Sequence, residues 1–508
     1  MYAFVNSGFQ NKLFFSVTAR NDWSSSLTYP DGTGNNSYFY HSESVSWMAS
    51  ESLSLPEFIS SLKVRASYAE VGNDTEPYAL STGFVSSGIA SSNIPMYRFE
   101  NGNAISPNIK PERKQSIEAG FNLLMAQGLV SLDVNFYKDN TKDQILPLSV
   151  PTESGLSSIF INGGNIQNSG IELNLDLTIF DRKDFSWDLG FNWTHNRDKI
   201  IDLYPGVTEY NMYGNPSDAN AATASYAYVG GNYGDLVTRK GYKPYDGVNT
   251  ANHDIPILAP RNGWSVAYPI GIQNLDSLHV MGNMQPDWYG AVKTSLRYKR
   301  FSLSALIDTR WGGELYSADA RYGLHQGVIE SSLPNRDREH GGIVWTSEGQ
   351  GQNHYGKEYE DGYIPNGVFP DGTTITSGPA GSRTSVDVGG LTYQQAYDQG
   401  LVEPTHWSGY IYRWTSASTG TPITGVYTQK WIALRELSIS YQLPGSIAEK
   451  LKMQSAFVSL TGRDLGFLYN SMPDNINPSI SNNVASNPLQ MRSAPYISSL
   501  MLAVKLKF

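Results

Sequence analysis

The stretch YISSLMLAVKLKF, residues 496–508, puts Tyr496, Leu500, Leu502, Val504, Leu506 and Phe508 on even positions, with Ser498 the exception, and Lys505 and Lys507 on odd ones. A period of two is the signature of a β-strand with one apolar and one wet face. Two settings accept it. In a soluble sandwich this strand would join a core just where a chain is expected to fray. In a membrane barrel its apolar face meets lipid, and an aromatic at the lipid–water boundary is ordinary.

The same unit recurs upstream. In GIELNLDLTIF, Ile171, Leu173, Leu175, Leu177 and Ile179 alternate with Glu172, Asn174, Asp176 and Thr178. VSLDVNFYKDN (130–140) and FSWDLGFNWTHN (185–196) alternate in the same way, the second setting Phe185, Trp187, Leu189, Phe191 and Trp193 against Asp188 and Asn192. Further strands are read at 12–24, 62–72, 113–124, 287–299, 301–312, 430–444 and 454–467, with weaker candidates near 2–8, 38–51, 157–167 and 226–239. The total is roughly 13 or 14 strands. Helical periodicity is nearly absent; only SIAEKLKM (446–453) reads as a short helix.

Composition narrows the setting. Hydrophobic residues make up 40%, aromatics 12% with 32 Tyr and 11 Trp, and charged residues only 17% of the 508, a profile unlike that of a disordered chain. No run approaches the ~20 apolar residues of a membrane helix, so any membrane crossing must be by a closed barrel, which satisfies every backbone group. The absence of cysteine rules out disulfides and thiolate metal sites, and a net charge of −10 argues against nucleic acid as a partner. MYAFVNSGFQNKLFF, at the start, lacks the pattern of a signal peptide, so the chain is expected to be mature or incomplete.

Connections divide into two kinds. AQG (126–128), DRKD (181–184) and KR (299–300) are short enough to join neighbouring strands directly, whereas about 195–286 and 313–429 are long and rich in Gly, Pro, Asn, Asp and Tyr. Structureless loops of that length are out of place in a compact soluble domain. Short turns at one end and long loops at the other are the pattern of an outer-membrane barrel, with the long loops extracellular and the short turns periplasmic.

Several segments, in order, carry a family resemblance: TARNDWSSSL (18–27), YFYHSESVSWMASE (38–51), LKVRASYAEVGN (62–73), ISPNIKPERKQSIEAGFNL (105–123), NGGNIQNSGIELNLDL (162–177) and DFSWDLGFNWTHNRDKI (184–200). MQPDWYGAVKTSLRYKRFSLSALIDTRWGGELY (284–316), PNGVFPDGT (365–373), WIALRELSISYQLP (431–444), VSLTGRDLGFLY (458–469) and the terminal strand continue it. Together they resemble the C-terminal half of a SusC/RagA-family TonB-dependent outer-membrane transporter from Bacteroidetes. The resemblance implies an all-β, transmembrane antiparallel β-barrel of an expected 22 strands closed by an N-terminal plug. It implies a place in the bacterial outer membrane, a SusD-like surface lipoprotein as lid, a dimeric SusC2D2 assembly as one oligomeric form, energy from TonB, no cofactor, and import of glycans or peptides. Here the plug and the TonB box are not recognisable and the strands are too few to close such a cylinder. Residues 1–508 are therefore expected to be the C-terminal part of the barrel, from a partial chain or a nicked longer one.

Within that frame Leu502, Val504, Leu506 and Phe508 resemble the C-terminal signal read by the barrel-assembly machinery, and would also be wall facing outer-membrane lipid. Glu172, Asp176, Asp188 and Asn192 would line the lumen. Trp187, Trp193, Trp288 and Trp431 read as interfacial anchors. Arg20, Asp22, Lys110, Glu112 and Arg113 are candidates for charge pairs between lumen and plug. Substrate contact falls to aromatics of the long loops, Trp264, Trp345, Tyr355, Tyr363, Trp407, Tyr410 and Trp414, whose flat faces suit sugar rings or peptide side chains, although packing of the loop itself is the competing role of each.

No catalytic or metal role is expected. Glu358, Glu360 and Asp361, and His340, His354 and His406, lack metal-ligand spacing; no GxSxG, P-loop or strand-following GxGxxG occurs, and DGVNTANHD (246–254) lacks the bidentate Glu of a calcium loop. Active uptake, a non-transporting outer-membrane scaffold, and a soluble β-rich glycan-binding protein remain as function classes.

Overall fold

The computed structural model describes residues 1–81, 83–89, 94–99, 103–154, 156–216, 223–241, 243–260, 267–269, 273–346, 356–377, 384–407, 422–450, 452–479, 489–490 and 496–508. Its main sheet follows the chain: β1 (Tyr2–Phe9), β2 (Leu13–Trp23), β3 (Ser37–Met48), β4 (Ile59–Asn73), β5 (Glu112–Met125), β6 (Val130–Ser149), β7 (Ser158–Arg182), β8 (Phe185–Asp202), β9 (Trp288–Tyr298), β10 (Phe301–Ser317), β11 (Val426–Gln442), β12 (Ser455–Asn470) and β13 (Ser499–Lys507). Each strand pairs antiparallel with the next, and two short pieces, Asn103–Ile105 and Leu489–Gln490, add to β7 and β10. Among the described residues β1 pairs only with β2 and β13 only with β12, so the sheet is an open wall with two free edges.

Register keeps the faces apart. On β7 and β8, Leu173, Leu175 and Leu177 lie opposite Trp193, Phe191 and Leu189, while Glu172, Asn174 and Asp176 lie opposite Thr194, Asn192 and Gly190. A slip of one residue would exchange every side chain between the faces, so this matching is what fixes the pairing. The apolar face is bare. Phe15, Phe136, Leu460 and Val504 are 47%, 48%, 51% and 60% exposed, and buried apolar side chains gather in the connections instead. A soluble domain does not leave a sheet face of this kind open to water.

The wall strands are those that alternation predicts, and the short connections at 126–128, 181–184 and 299–300 join β5 to β6, β7 to β8 and β9 to β10. Two weaker candidates are placed differently. Residues 157–167 are the first part of the 25-residue β7, continuous with GIELNLDLTIF, and 226–239 fall in a separate sheet made of Glu209–Gly214, Ala224–Tyr228, Asp235–Gly241 and Gln273–Asn283. The long connections have structure of their own: among the described residues, small sheets and two helices, α1 (Ala318–Gln326) and α2 (Tyr393–Asp398). A third helix, α3 (Gly445–Lys450), is the one expected near 446–453.

Candidate functional site

The polar face of the wall carries paired charges. Arg65 forks onto Asp133, with Nη2 2.7 Å from Oδ1 and Nη1 3.2 Å from Oδ2, and donates to Asn122 Oδ1 at 2.6 Å. Lys114 reaches Asp139 at 2.7 Å. Glu172, Asp176, Asp188 and Asn192 all lie on this face, Asp188 accepting from Thr178 Oγ1 at 2.9 Å and Asn192 bonding Asn174. Arg20 and Asp22 pair with each other at 2.8 Å and Tyr40 adds a bond to Asp22, whereas Arg113 is on the apolar side and Glu112 accepts from Asn73 and the Ile145 amide. Lys110 meets Asn162, its amide donating to Oδ1 at 2.6 Å, so the five residues form no single constellation.

A bulge on β11 overturns one anchor assignment. Leu437, Ile439 and Tyr441 face the apolar side opposite Ala305, Leu303 and Phe301, but the register shifts between Leu434 and Glu436. One extra residue reverses the alternation beyond it. Trp431, which unbroken alternation would put on the apolar face, lies opposite Arg310 on the polar face, only 6% exposed, under the Arg435 guanidinium at 4.9 Å. Arg435 in turn bridges Asp308 at 2.8 Å and Asp464 at 3.2 Å.

The other tryptophans lie on the apolar face, in two aromatic bands. Trp288 stacks on Trp311 (5.9 Å between centroids) and Trp311 on Tyr469 (6.0 Å), near the long-loop end. Trp193 lies beside His195 at the same end. Near the short turns, Trp187 stacks with Phe180, and Phe301 packs on Tyr441 at 4.7 Å. Trp288 and Tyr298 are the ends of the 11-residue β9, about 34 Å of extended chain. At a tilt of 35–45° that becomes about 26 Å of height, the band that outer-membrane barrels present to lipid.

At the long-loop end the two large excursions share one core. Leu258, from the first, packs with Phe369, Ile375, Val388, Tyr393, Ala396 and Val402 from the second. Backbone bonds run both ways, Leu258 N to Val368 O and Val368 N to Pro256 O, each 2.8 Å. Tyr245 bonds Asp371, which also accepts from the Val248 amide at 2.9 Å, and Asn252 Nδ2 donates to Gly390 O at 2.8 Å. DGVNTANHD thus serves as a packing turn. Sequence reading missed this core, because apolar residues spread through Gly-rich loops have no period to betray them.

Of the loop aromatics named from sequence, Trp264, Tyr355, Tyr410 and Trp414 lie outside the described residues. Trp345 and Tyr363 lie on one small sheet, in which Ile343–Thr346 pairs with Glu358–Tyr363 and that with Thr405–His406, and Trp407 directly follows its last strand. Trp345 is 8% exposed, stacked on Tyr359 (5.3 Å) and against His406 (5.1 Å), whose Nδ1 is 2.9 Å from Asp361. Tyr363 and Trp407, both half-buried, meet edge to face at 5.0 Å, with Trp407 Nε1 donating to Ser332 O at 3.1 Å. Nearby, the His340 ring at 2.7 Å holds the Asp337 carboxyl below its ordinary pKa.

The sheet at 209–283 is tied to the top of β8. Ile200 N donates to Gly231 O at 2.9 Å, Gly230 N to Ile200 O at 2.8 Å, and Tyr233 N to Asp198 Oδ2 at 3.1 Å. Asp235, 7% exposed, accepts from Asn283 Nδ2 at 2.8 Å, and burial raises its pKa above the ordinary 3.8. A carboxyl with a raised folded pKa binds its proton more tightly folded than unfolded, so its contribution to stability falls as pH rises from about 4 toward the folded value. Intrinsic-rate-corrected amide protection of Asp235–Gly241 should therefore fall over that interval, and Asp235→Asn should lessen the slope, the rest staying with Asp198, whose carboxyl burial pushes up to about 6.

Comparison with known proteins agrees with this geometry. The family model "TonB dependent receptor-like, beta-barrel" matches residues 1–322. The chain is 24% identical over 325 residues to TonB-dependent receptor P26 of Formosa agariphila, covering 62% of this chain and 32% of that protein. It is 24% identical over 214 residues to TonB-dependent receptor SusC of Bacteroides thetaiotaomicron, covering 40% and 20%. All of it superposes on 47% of a chain in the closed-closed RagAB peptide importer, with a TM-score of 0.67 at 18% identity. The match thus spans about a third of the length of TonB-dependent receptor P26 and about half of that RagAB chain. An open wall with one lipid-matched face, one polar face and extracellular loops is what such a part contributes, and the chain belongs to the family of TonB-dependent receptor β-barrels of the outer membrane, a family of receptors and transporters rather than enzymes.

Proposed function

We propose that residues 1–508 are the C-terminal part of the wall of an active importer of oligomeric nutrients, glycans or peptides, and that a plug and the remaining strands come from further polypeptide. The observation that carries this reading is the polar face. Charged side chains run the height of the wall on it, several of them paired with one another, as at Arg65 with Asp133 and Arg435 with Asp308 and Asp464, so it offers a hydrated lining. The fold shared with the RagAB peptide importer supports it, as does the likeness to SusC. Capture would fall to the joined loops. There Tyr363 and Trp407 offer ring faces, Trp345 holds their sheet together, and a SusD-like lipoprotein would close over the mouth, with TonB supplying energy.

The test is uptake by the full receptor in its own outer membrane. Loss of growth on oligomeric but not monomeric sugar or amino-acid sources in a deletion strain, restored only when TonB is present, together with co-purification of a SusD-like lipoprotein, is the expected result. Unimpaired growth with a stable complex in the membrane would favour a scaffold instead. Assembly has its own test. Leu502, Val504, Leu506 and Phe508 are 71%, 60%, 43% and 75% exposed on the edge strand, open to recognition by the barrel-assembly machinery. Deleting Phe508 should cost most of the heat-modifiable receptor in outer-membrane fractions, whereas Lys507→Gln should cost little.

A further inference from the structure

The apolar face does not end in neutral residues at the long-loop end. Opposite one another across β6, β7 and β8 lie Phe136, Ile171 and His195, and Trp288 on β9 follows the last β8–β9 pair, Thr194 with Tyr289, level with the upper aromatic band. One pleat row further toward the loops, on the same face, are Lys138 and Arg197, flanking Ser169. The next rows bring Lys199, opposite Gln167, and the pair Arg113 and Lys142 on β5 and β6. Five cations thus occupy about 14 Å by 14 Å of wall, from strand spacing and rise. Arg113, Lys138, Arg197 and Lys199 are exposed and Lys142 half-buried.

Their surroundings set them apart. On the polar face, Arg65, Lys114 and Arg435 all have carboxylate partners. Among the described residues none of these five takes part in an ion pair. Glu70, the acid on this face of β4, accepts from Tyr68 at 2.6 Å and Gln115 at 2.7 Å and also feels the Arg113 charge. Asp202 shares this face, flanking Asn165 with Lys142 on its other side, so the patch holds five cations to one carboxylate, an excess that a chain of net charge −10 does not produce by composition alone. Unpaired cations on the lipid side, just above the hydrocarbon band, lie at the level of lipid headgroups.

We propose that this patch binds the phosphorylated headgroups of outer-leaflet lipid and so holds a specific lipid against β5–β8. The acyl chains of that lipid would lie along Phe136, Ile171 and Trp193, and its phosphates would bridge Lys138, Arg197 and Lys199.

The experiment is native mass spectrometry of the full receptor in detergent, titrated with diphosphorylated lipid A, with the same lipid stripped of phosphate, and with inorganic phosphate. Saturable binding of the phosphorylated lipid is expected, with weaker binding of the stripped lipid and no competition from inorganic phosphate. Lys138→Gln with Arg197→Gln should weaken binding about thirtyfold, while Lys293→Gln, a charge removed from the polar face, should leave it unchanged. If that double variant fails to become heat-modifiable, Arg113→Gln with Lys199→Gln tests the other corner of the patch. Unchanged binding in a folded patch variant, or equal binding of the stripped lipid, overturns the proposal. Displacement by inorganic phosphate would mark a free-anion site and overturn it equally.

Discussion

Arginine at Phe191 should destabilise the receptor by about 2–4 kcal/mol, the cost of a cation on the lipid face near mid-bilayer. Phe191 lies opposite Leu175 and Val292, between the two aromatic bands. Arginine at Asn192, the next residue, should change stability by no more than about 0.5 kcal/mol plus the loss of one bond to Asn174, because it enters the hydrated polar face. Reversible unfolding in urea from lipid bilayers measures both. The pair is informative because adjacent residues share every property of position except the direction in which the pleat points them. Similar costs at the two sites would mean that the faces are not lipid and water.

The second large effect lies in the loops. Leu258→Ala removes a fully buried side chain from the shared core, a change worth about 2–5 kcal/mol locally. Its partners Phe369, Val388 and Tyr393 come from the other excursion. Amide protection should therefore be lost in 367–377 and 384–402 as well as around 255–260, while the wall strands keep theirs. Hydrogen exchange read by mass spectrometry distinguishes this from loosening of the 255–260 segment alone, the result expected if the two excursions moved independently.

How much of this could be read from residues alone depends on the range over which each feature is encoded. Wall strands such as β7 and β8 were legible because their alternation is local. The placement of Trp431 was not, since Trp431, Ala433, Arg435 and Leu437 look like an unbroken series and only pairing reveals the register shift at Arg435. The loop core was illegible for a related reason. Leu258 meets residues more than a hundred positions away, and nothing around it in sequence marks it as the centre of anything. Trp345 shows how residue type can mislead, because a loop tryptophan reads as a ligand platform until its burial against Tyr359 and His406 is known. Lys138, Arg197 and Arg113 looked like ordinary solvated charges until three ladders placed them side by side.

The length of β9 has a further consequence. With Trp288 at one end and Tyr298 at the other, the wall is matched to a hydrocarbon layer of about 26 Å, several ångströms thinner than the ~30 Å of a typical bilayer. Hydrophobic mismatch costs fractions of a kcal/mol per ångström, and the bacterial outer membrane is thinner than average. The strand thus acts as a thickness gauge: the protein is at ease in the membrane of its destination and strained in a thicker one, so short-chain lipids are the natural choice for reconstituting it.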